Sequence, residues 1–513
     1  MKKTLVLFTC IFFITISKAI GSDKIIDVTK HGIKSNSETK CTTTLQNLID
    51  KLSLKGGGIL RFPAGYYLTG SFEIKSGVKI YLEKDAIIKG STNPYDYNNK
   101  RLNEPKSPNA KDNSSMALVV ANNACNIAIL GEGTIDGNGR ELALNIDSLH
   151  HKGIRIDSNY NTKRMRPNET ARPKLFRFSN CQNIDIKGVE LRNSACWGVT
   201  IELCSNVIID NVKVFNRAYW NNDGIDITDC KNVKITNCNI NAADDGICLK
   251  SYYPGYCNDS IYITNCNICS SASAVKFGTA SHGGFRNINI DSIQIYDTFR
   301  SAIAIESVDG GFIENVQVSN IKARNTGNAI FVRLGSRSGK STGILRNIHL
   351  NNIEVEIPFG RPDSDYDMRG PAVNFFHNPI PSSITGIPGQ KVENIVIENL
   401  RIICPGRASK GMAYIPLWRI KDVPEKVNEY PEFSMFGELP SWGFYIRHVN
   451  GITFKNITLK LKEKDYRPAF IFDDVDNICL DNINIPVSSK EDIILRKSNI
   501  IRTDRNYLTN IIE

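Results

Sequence analysis

Trp220 to Lys250 reads WNNDGIDITDCKNVKITNCNINAADDGICLK. Inside it, Asn232-Val233-Lys234-Ile235 is a turn residue followed by apolar alternation, the signature of a short half-buried strand. The same signature stands 26 residues earlier as Asn206-Val207-Ile208-Ile209, and 23 before that as Asn183-Ile184-Asp185-Ile186. It returns at Asn287, Asn315, Asn347, Asn394 and Asn477, at intervals near 28 that stretch to 47 between Asn347 and Asn394. Short β-branched strands, one turn Asn per repeat and this period predict an all-β chain, a parallel β-helix in which each repeat is one coil of a solenoid. A leucine-rich repeat has a similar period, but its leucine lattice is missing. An Asn at each coil corner suits the left-handed backbone region, and its amide can bond to the Asn stacked on it.

The same stretch holds three aspartates, Asp223 in N-N-D-G and the pair Asp244-Asp245 in A-A-D-D-G. They are 21 residues apart, about one coil, so the carboxylates are expected side by side on neighbouring coils. Two carboxyl groups at close range are the minimum equipment for breaking a glycosidic bond, one giving a proton to the leaving oxygen and one activating water. Crowding also raises the pKa of one of them, which keeps a proton available near neutral pH. The alternative is that both Asp-Gly pairs are plain turns.

Around this centre the chain reads as follows. Residues 1–19 have the form of a secretory signal: basic Lys2-Lys3, apolar Leu5 to Ile16, and a small-x-small cleavage site at Ser17-Lys18-Ala19. That predicts a periplasmic or extracellular protein, and no later apolar run is long enough to span a membrane. Thr42 to Leu54 has helical spacing (Leu45, Leu48, Ile49, Leu52) and stops at Gly56-Gly57-Gly58, which predicts a short N-terminal helix capping the open end of the solenoid. Residues 20–513 are expected to form one domain. Long polar or Pro- and Gly-rich loops at about 140–171, 358–390 and 405–441 would wall the groove or cover the C-terminal end.

Of 14 cysteines, 13 remain after the signal, and several fall within the repeats, where free buried thiols act as small apolar residues; one or more disulfides are the alternative. Cys266 and Cys269 have C-x-x-C spacing but lie on a strand pattern with no second ligand pair, so no metal site is predicted. A formal charge of +10, without dense basic runs or interleaved aromatics, excludes a typical nucleic-acid binder. The charge suits an acidic polysaccharide or simply a solvated surface.

The motifs resemble those of glycoside hydrolase family 28, the polygalacturonase family of right-handed parallel β-helices. Asn221-Asn222-Asp223-Gly224-Ile225-Asp226 is similar to the family's N-T-D-G-I-D, and Asp244 to Ser251 (DDGICLKS) to its D-D-x-I-x-x-K-S. Gly131 to Gly137 and the region around Gly56 to Gly70 are similar too, so the likeness covers roughly residues 25 to 350. It implies an inverting hydrolase with Asp244 as general acid, Asp223 and Asp245 holding and activating water, and no cofactor. Two motifs depart. The family's G-H-G corresponds to Ala272-Ser273-Ala274, with His282 nearby as a candidate replacement or a plain loop residue. Its R-I-K corresponds to Ala304-Ile305-Glu306, so Glu306 stands where a cation would bind the substrate carboxylate.

Other cations are candidates for that task. Arg333 and Arg337 lie one repeat beyond Glu306, and Arg333 alternates with apolar Val332 and Leu334; a surface role is the alternative. Lys276 interrupts an apolar strand, and Lys250 follows the acid pair on the same strand. Trp220 is either a sugar platform or core. The chain is therefore expected to be a monomeric, secreted, inverting hydrolase of galacturonan or rhamnogalacturonan, exo-acting or specific for side branches. A polysaccharide lyase on the same fold and a non-catalytic glycan-binding solenoid remain the rivals.

Overall fold

The computed structural model describes residues 24–36, 38–97, 114–339, 341–360, 362–363, 380–412, 415–486, 492–504 and 509–512. The segment predicted as a signal lies outside them, as does much of the expected loop at 358–390. The chain is a right-handed parallel β-helix. Each full coil contributes a strand to three stacks, all paired in parallel. The site sheet runs through Lys174–Ser179, Val199–Glu202, Ile225–Thr228, Ile247–Ser251 and Val275–Ser281. The second sheet runs through Gln182–Lys187, Ser205–Asp210 and Lys231–Thr236. The third runs through Glu190–Arg192, Lys213–Asn216 and Asn239–Ala242.

Register carries the core. Val199, Ile225, Ile247, Val275 and Ile303 stack one above the other on the site sheet, and Ile184, Val207, Val233 and Ile261 on the second, all essentially inaccessible. Burying each such side chain contributes about 1.5–3 kcal/mol, repeated at every coil. Between the site and second sheets the chain turns at Asn residues with positive φ: Asn183 and Asn206 at 56° and Asn232 at 54°. Their amides form a ladder, Asn206 donating to Asn183 Oδ1 at 3.0 Å and Asn232 to Asn206 Oδ1 at 2.7 Å. The ladder resumes through Asn287, Asn315, Asn347 and Asn394.

The helix Thr42–Leu54 buries Leu45, Ile49 and Leu52 over the first coils. A second helix, Gly139–His151, occupies the start of the stretch read as a polar loop. It packs Leu142, Ala143 and Ile146 inward. All cysteines among the described residues are free. Cys181, Cys204 and Cys230 stack at one corner, each thiol accepting from a backbone N–H of the preceding coil at 3.3–3.4 Å. Cys266 lies in the core and Cys269 against Arg217, so their spacing brings no ligand pair together. Among the described residues no helix is long and apolar enough to cross a membrane.

Candidate active site

The site sheet differs from the second sheet in being buried on both faces. Residues that point away from the core, Asp226, Cys248 and Lys276, stack in register and are 0–3% exposed. They form the floor of a groove. Each coil enters this sheet through a tight turn. A Cβ on Gly224 would stand 2.4 Å from the Gly246 carbonyl oxygen, and one on Gly246 2.6 Å from that of Ala274. Glycine is therefore required after each aspartate by the approach of the next coil. The turn alone explains the Gly of each Asp-Gly pair, but not the aspartates.

The register places these carboxylates. Ile225 opposes Ile247, so Asp223 lies in line with Asp245, whose carbonyl accepts from Gly224 N at 2.9 Å. Asp244, one residue earlier, donates its N–H to Asn222 O at 3.2 Å. The coil partner of Asp223 is thus Asp245, which the spacing alone left open between the two members of the pair. One oxygen from each of Asp223, Asp244 and Asp245 lies within 4.8 Å of the others, and all three residues are buried. They are close enough to share a cation, though two ammonium groups already face them.

Lys250 Nζ is 3.1 Å from Asp223 Oδ2 and 3.0 Å from Asp226 Oδ1. Lys276 Nζ is 3.1 Å from Asp245 Oδ2 and 3.9 Å from Glu306 Oε2. Burial pulls both ammonium groups down, but their carboxylate partners outweigh it and hold both pKa values well above the ordinary range. Burial pushes the Asp223 carboxyl well up, helped by the charge of Asp226 and opposed by Lys250. Burial likewise lifts Glu306 to about 7.

A cavity of about 420 Å³ opens above this cluster. Its lining includes the three aspartates, Lys250, Lys276, Trp197, Tyr252, Arg337 and Tyr430. Among the candidates from sequence, the structure brings Asp223, Asp244, Asp245, Lys250 and Lys276 together there. Glu306 lies beneath, bonded by Thr279 Oγ1 at 3.2 Å and adjoining Lys276. The remaining candidates, Arg337 apart, are elsewhere. Trp220 is capped by the Arg166 guanidinium 4.5 Å from its ring centre. His282 stands beside Asp309, 3.8 Å away, and does not line the cavity. Ser273, in the position of the family histidine, instead donates its N–H to Asp245 Oδ1 at 3.2 Å. Arg333 is 1% exposed; it donates to the carbonyls of Gly386, Glu425 and Lys426 at 2.8–3.0 Å and so fastens the 423–436 segment rather than facing solvent. Arg337 does reach the cavity, forked onto Asp309 at 2.8–2.9 Å.

Three residues escaped the sequence reading. Trp197 opposes Asp223 one coil earlier, and Lys174 and Lys250 lie 4.3 and 4.6 Å from its ring centre. Its signal was spacing, since it stands one 26-residue repeat before Asp223. Tyr252 stacks parallel to it with ring centres 6.5 Å apart. Tyr430 belongs to the segment 405–441, which is tied to the groove by Arg300 and Glu432 at 3.2 Å.

The family described as Glycosyl hydrolases family 28 matches residues 60–358. The chain is 23% identical over 417 residues to a probable polygalacturonase of Vitis vinifera, covering 76% of this chain and 75% of the relative. It is 27% identical over 256 residues to an exo-poly-alpha-D-galacturonosidase of Dickeya chrysanthemi, 44% of this chain and 41% of the relative. A family 28 exopolygalacturonase structure from Yersinia enterocolitica superposes with a TM-score of 0.64 at 18% identity, covering 91% of this chain and 79% of that one. An exopolygalacturonase structure from Thermotoga maritima gives 0.57 at 23%, covering 74% and 87%. At these identities the two structures speak for the fold.

Proposed function

The chain belongs to glycosyl hydrolases family 28 and is a glycoside hydrolase; we propose that it cleaves pectic chains at the Asp223, Asp244 and Asp245 cluster, from a chain end and with inversion. The observation that carries this reading is the meeting of three carboxylates within 4.8 Å, flanked by Lys250 and Lys276, on the wall of a cavity sized for sugars. Asp244 protonates the leaving oxygen, a role implied by the family resemblance. Water sits between Asp223 and Asp245. Asp223, held against Lys250 at 3.1 Å, orients that water, while Asp245 takes the proton that the water loses. Lys276 and Arg337 are the cations placed to meet a uronate carboxylate, with Glu306 in the position of the family's clamp.

Action at a chain end is supported by Tyr430 and the Arg300–Glu432 pair, which bring the 405–441 segment against the cavity, and by the name of the Dickeya relative. Glu306 favours a neutral sugar beside the cleaved bond, as in rhamnogalacturonan, over plain polygalacturonate. The protein is secreted and forms one domain, readings that rest on its first 19 residues and on the coil stack.

The test is incubation of the wild type and Asp244→Asn with pectic oligosaccharides, following reducing ends and absorbance near 235 nm together. Reducing ends that rise without absorbance, and only in the wild type, are expected. Absorbance rising with them would establish a lyase instead. Binding without cleavage by both forms would establish the glycan-binding solenoid.

A further inference from the structure

The third sheet bears a second cavity of about 380 Å³, separate in its lining from the one above the aspartates. Phe215 and Tyr296 stand at its two ends with 49% and 42% of their surface exposed. The register links them in one outward column: Phe215 opposes Asn241, Asn241 opposes Cys269, and Cys269 opposes Tyr296. Three coil steps set the two rings about 14 Å apart along the solenoid axis, the length of roughly three sugar residues.

The neighbouring column supplies hydrogen bonds and charge. Asn239 and Asn267 are exposed between the rings, and the amide of Asn267 donates to Asn239 Oδ1 at 2.7 Å. Lys213 is exposed at one end, and Lys322 and Arg324 at the other. From Lys213 to Arg324 the exposed cations of this face are Lys213, Lys322 and Arg324; the carboxylates beside them are Asp297, whose Oδ1 accepts from the Asn325 amide at 2.7 Å, and Asp363, 3.5 Å from the Arg217 guanidinium. Glu190, which lines the cavity, lies 3.0 Å from Arg192, and Glu354, beyond Lys322, lies 3.2 Å from Arg401.

We propose that this strip is a second glycan-binding site, taking an extended acidic polysaccharide whose sugar faces stack on Phe215 and Tyr296 and whose carboxylates meet Lys213, Lys322 and Arg324. Aromatic rings offer flat apolar faces at low entropic cost, and amides between them reach hydroxyl groups. The chain leaves this sheet at Arg217 and arrives at Asp223 six residues later, so the strip runs beside the groove. A polymer held there is kept close to the cleavage site, which raises its effective concentration without touching the chemistry. The choice of a pectic polymer as probe rests on the proposed function; the strip itself does not.

The experiment is affinity electrophoresis of the intact protein in gels containing polygalacturonate or neutral hydroxyethylcellulose, in an Asp244→Asn background that leaves the polymer uncut. Polygalacturonate is expected to retard the protein, and Phe215→Ala with Tyr296→Ala to weaken retention about tenfold, roughly 1.4 kcal/mol for two stacking contacts. That pair leaves net charge unchanged, so general attraction of a cationic protein to a polyanion predicts no effect. In the active enzyme the same pair is expected to leave hydrolysis of a short oligosaccharide unaltered. The single exposed change Lys322→Glu must also weaken retention, which guards against misfolding of the pair. Undiminished retention in these variants, or equal retention by the neutral polymer, overturns the proposal. Strip-dependent retention by a protein that cleaves no pectic oligosaccharide would uphold this site and sink the proposed function.

Discussion

Lys276 Nζ stands 3.1 Å from Asp245 Oδ2 and 3.9 Å from Glu306 Oε2, so one buried ammonium serves two buried carboxyl groups. Removing it takes from the buried Asp245 carboxylate the ammonium 3.1 Å from its Oδ2. Breaking a buried pair from one side costs about 3–5 kcal/mol. Lys276→Met is therefore expected to lower the melting temperature and to cut kcat/KM by about 100-fold, a loss of electrostatic positioning. Adding Glu306→Gln should restore part of the stability but not the activity. Thermal melts and kinetics on one pectic oligosaccharide check both, and full activity in Lys276→Met would remove Lys276 from the site.

Glu306 predicts a pH effect with a definite sign. Its folded pKa of about 7 lies above the ordinary glutamate value of 4.5, and burial is the main cause. Between those two values the folded state holds the proton more tightly than the unfolded chain. Its contribution to stability is therefore complete below about 4.5 and is lost as pH rises toward 7. Above that, an ionised Glu306 competes with Asp245 and substrate for Lys276. The kcat/KM profile is expected to fall on its alkaline side near pH 7, and Glu306→Gln should move that limb upward. A limb unchanged in the variant would assign it to another group.

Trp197 lines the cavity, and Lys174 and Lys250 pack 4.3 and 4.6 Å from its ring centre. Trp197→Ala removes a platform and the cation–π support of both lysines, with a stability cost of about 3–5 kcal/mol for truncating a buried tryptophan. Trp197→Phe keeps a flat ring. The alanine form is expected to raise KM at least tenfold and the phenylalanine form to recover most of it, as read by kinetics on the same oligosaccharide.

The fold was legible because its repeating unit obeys two local rules at once. A left-handed Asn marks most corners, and period-two alternation aims Ile and Val inward on the following strand, as at Asn206 and Val207. The helix Gly139–His151 was not legible. Its apolar positions Leu142, Ala143 and Ile146 are sparse among polar residues, and no side chain caps its start at Asn138. The aspartate cluster was legible, but which member of the pair lies in line with Asp223 was not. Asn216 opposes Ala242, 26 residues on, whereas Ile225 opposes Ile247, only 22 on. The connection from Arg217 to Asn222 is four residues longer than its counterpart on the next coil. Lys276 and Arg333 look alike in sequence, each a cation in an apolar strand. The difference is what lies over them: an open cavity above Lys276, and the carbonyls of Glu425 and Lys426 above Arg333. Packing of a distant segment is not written in a local pattern.

The cysteines give a prediction independent of catalysis. Every described cysteine is free, and burial pushes thiols such as Cys41, Cys196 and Cys248 above their ordinary range. Buried neutral thiols react slowly. Alkylation of the native protein should modify Cys125, which is exposed, first and Cys479 later, leaving the core thiols until unfolding. The melting temperature should not change with reductant. A drop on reduction, or a mass deficit of alkyl groups in denaturant, would show disulfides.

Stereochemistry tests how the three carboxylates divide their work. In two-carboxylate glycosidases, groups about 5–5.5 Å apart accompany retention and groups about 6.5–9.5 Å apart accompany inversion, because an inverting pair must leave room for water. The cluster here, with oxygens within 4.8 Å, resembles the first spacing, whereas the family resemblance implies inversion. The two are reconciled if water is held by Asp223 and Asp245 together and attacks from the edge of the cluster, so that no carboxylate needs to bond to the sugar. Proton NMR of the first anomer released from a pectic oligosaccharide should therefore show the inverted configuration. Asp223→Asn, which still donates a hydrogen bond, should keep more activity than Asp223→Ala. A retained anomer, or trapping of a sugar on Asp223 or Asp245 by mass spectrometry, would show that one of them attacks carbon itself.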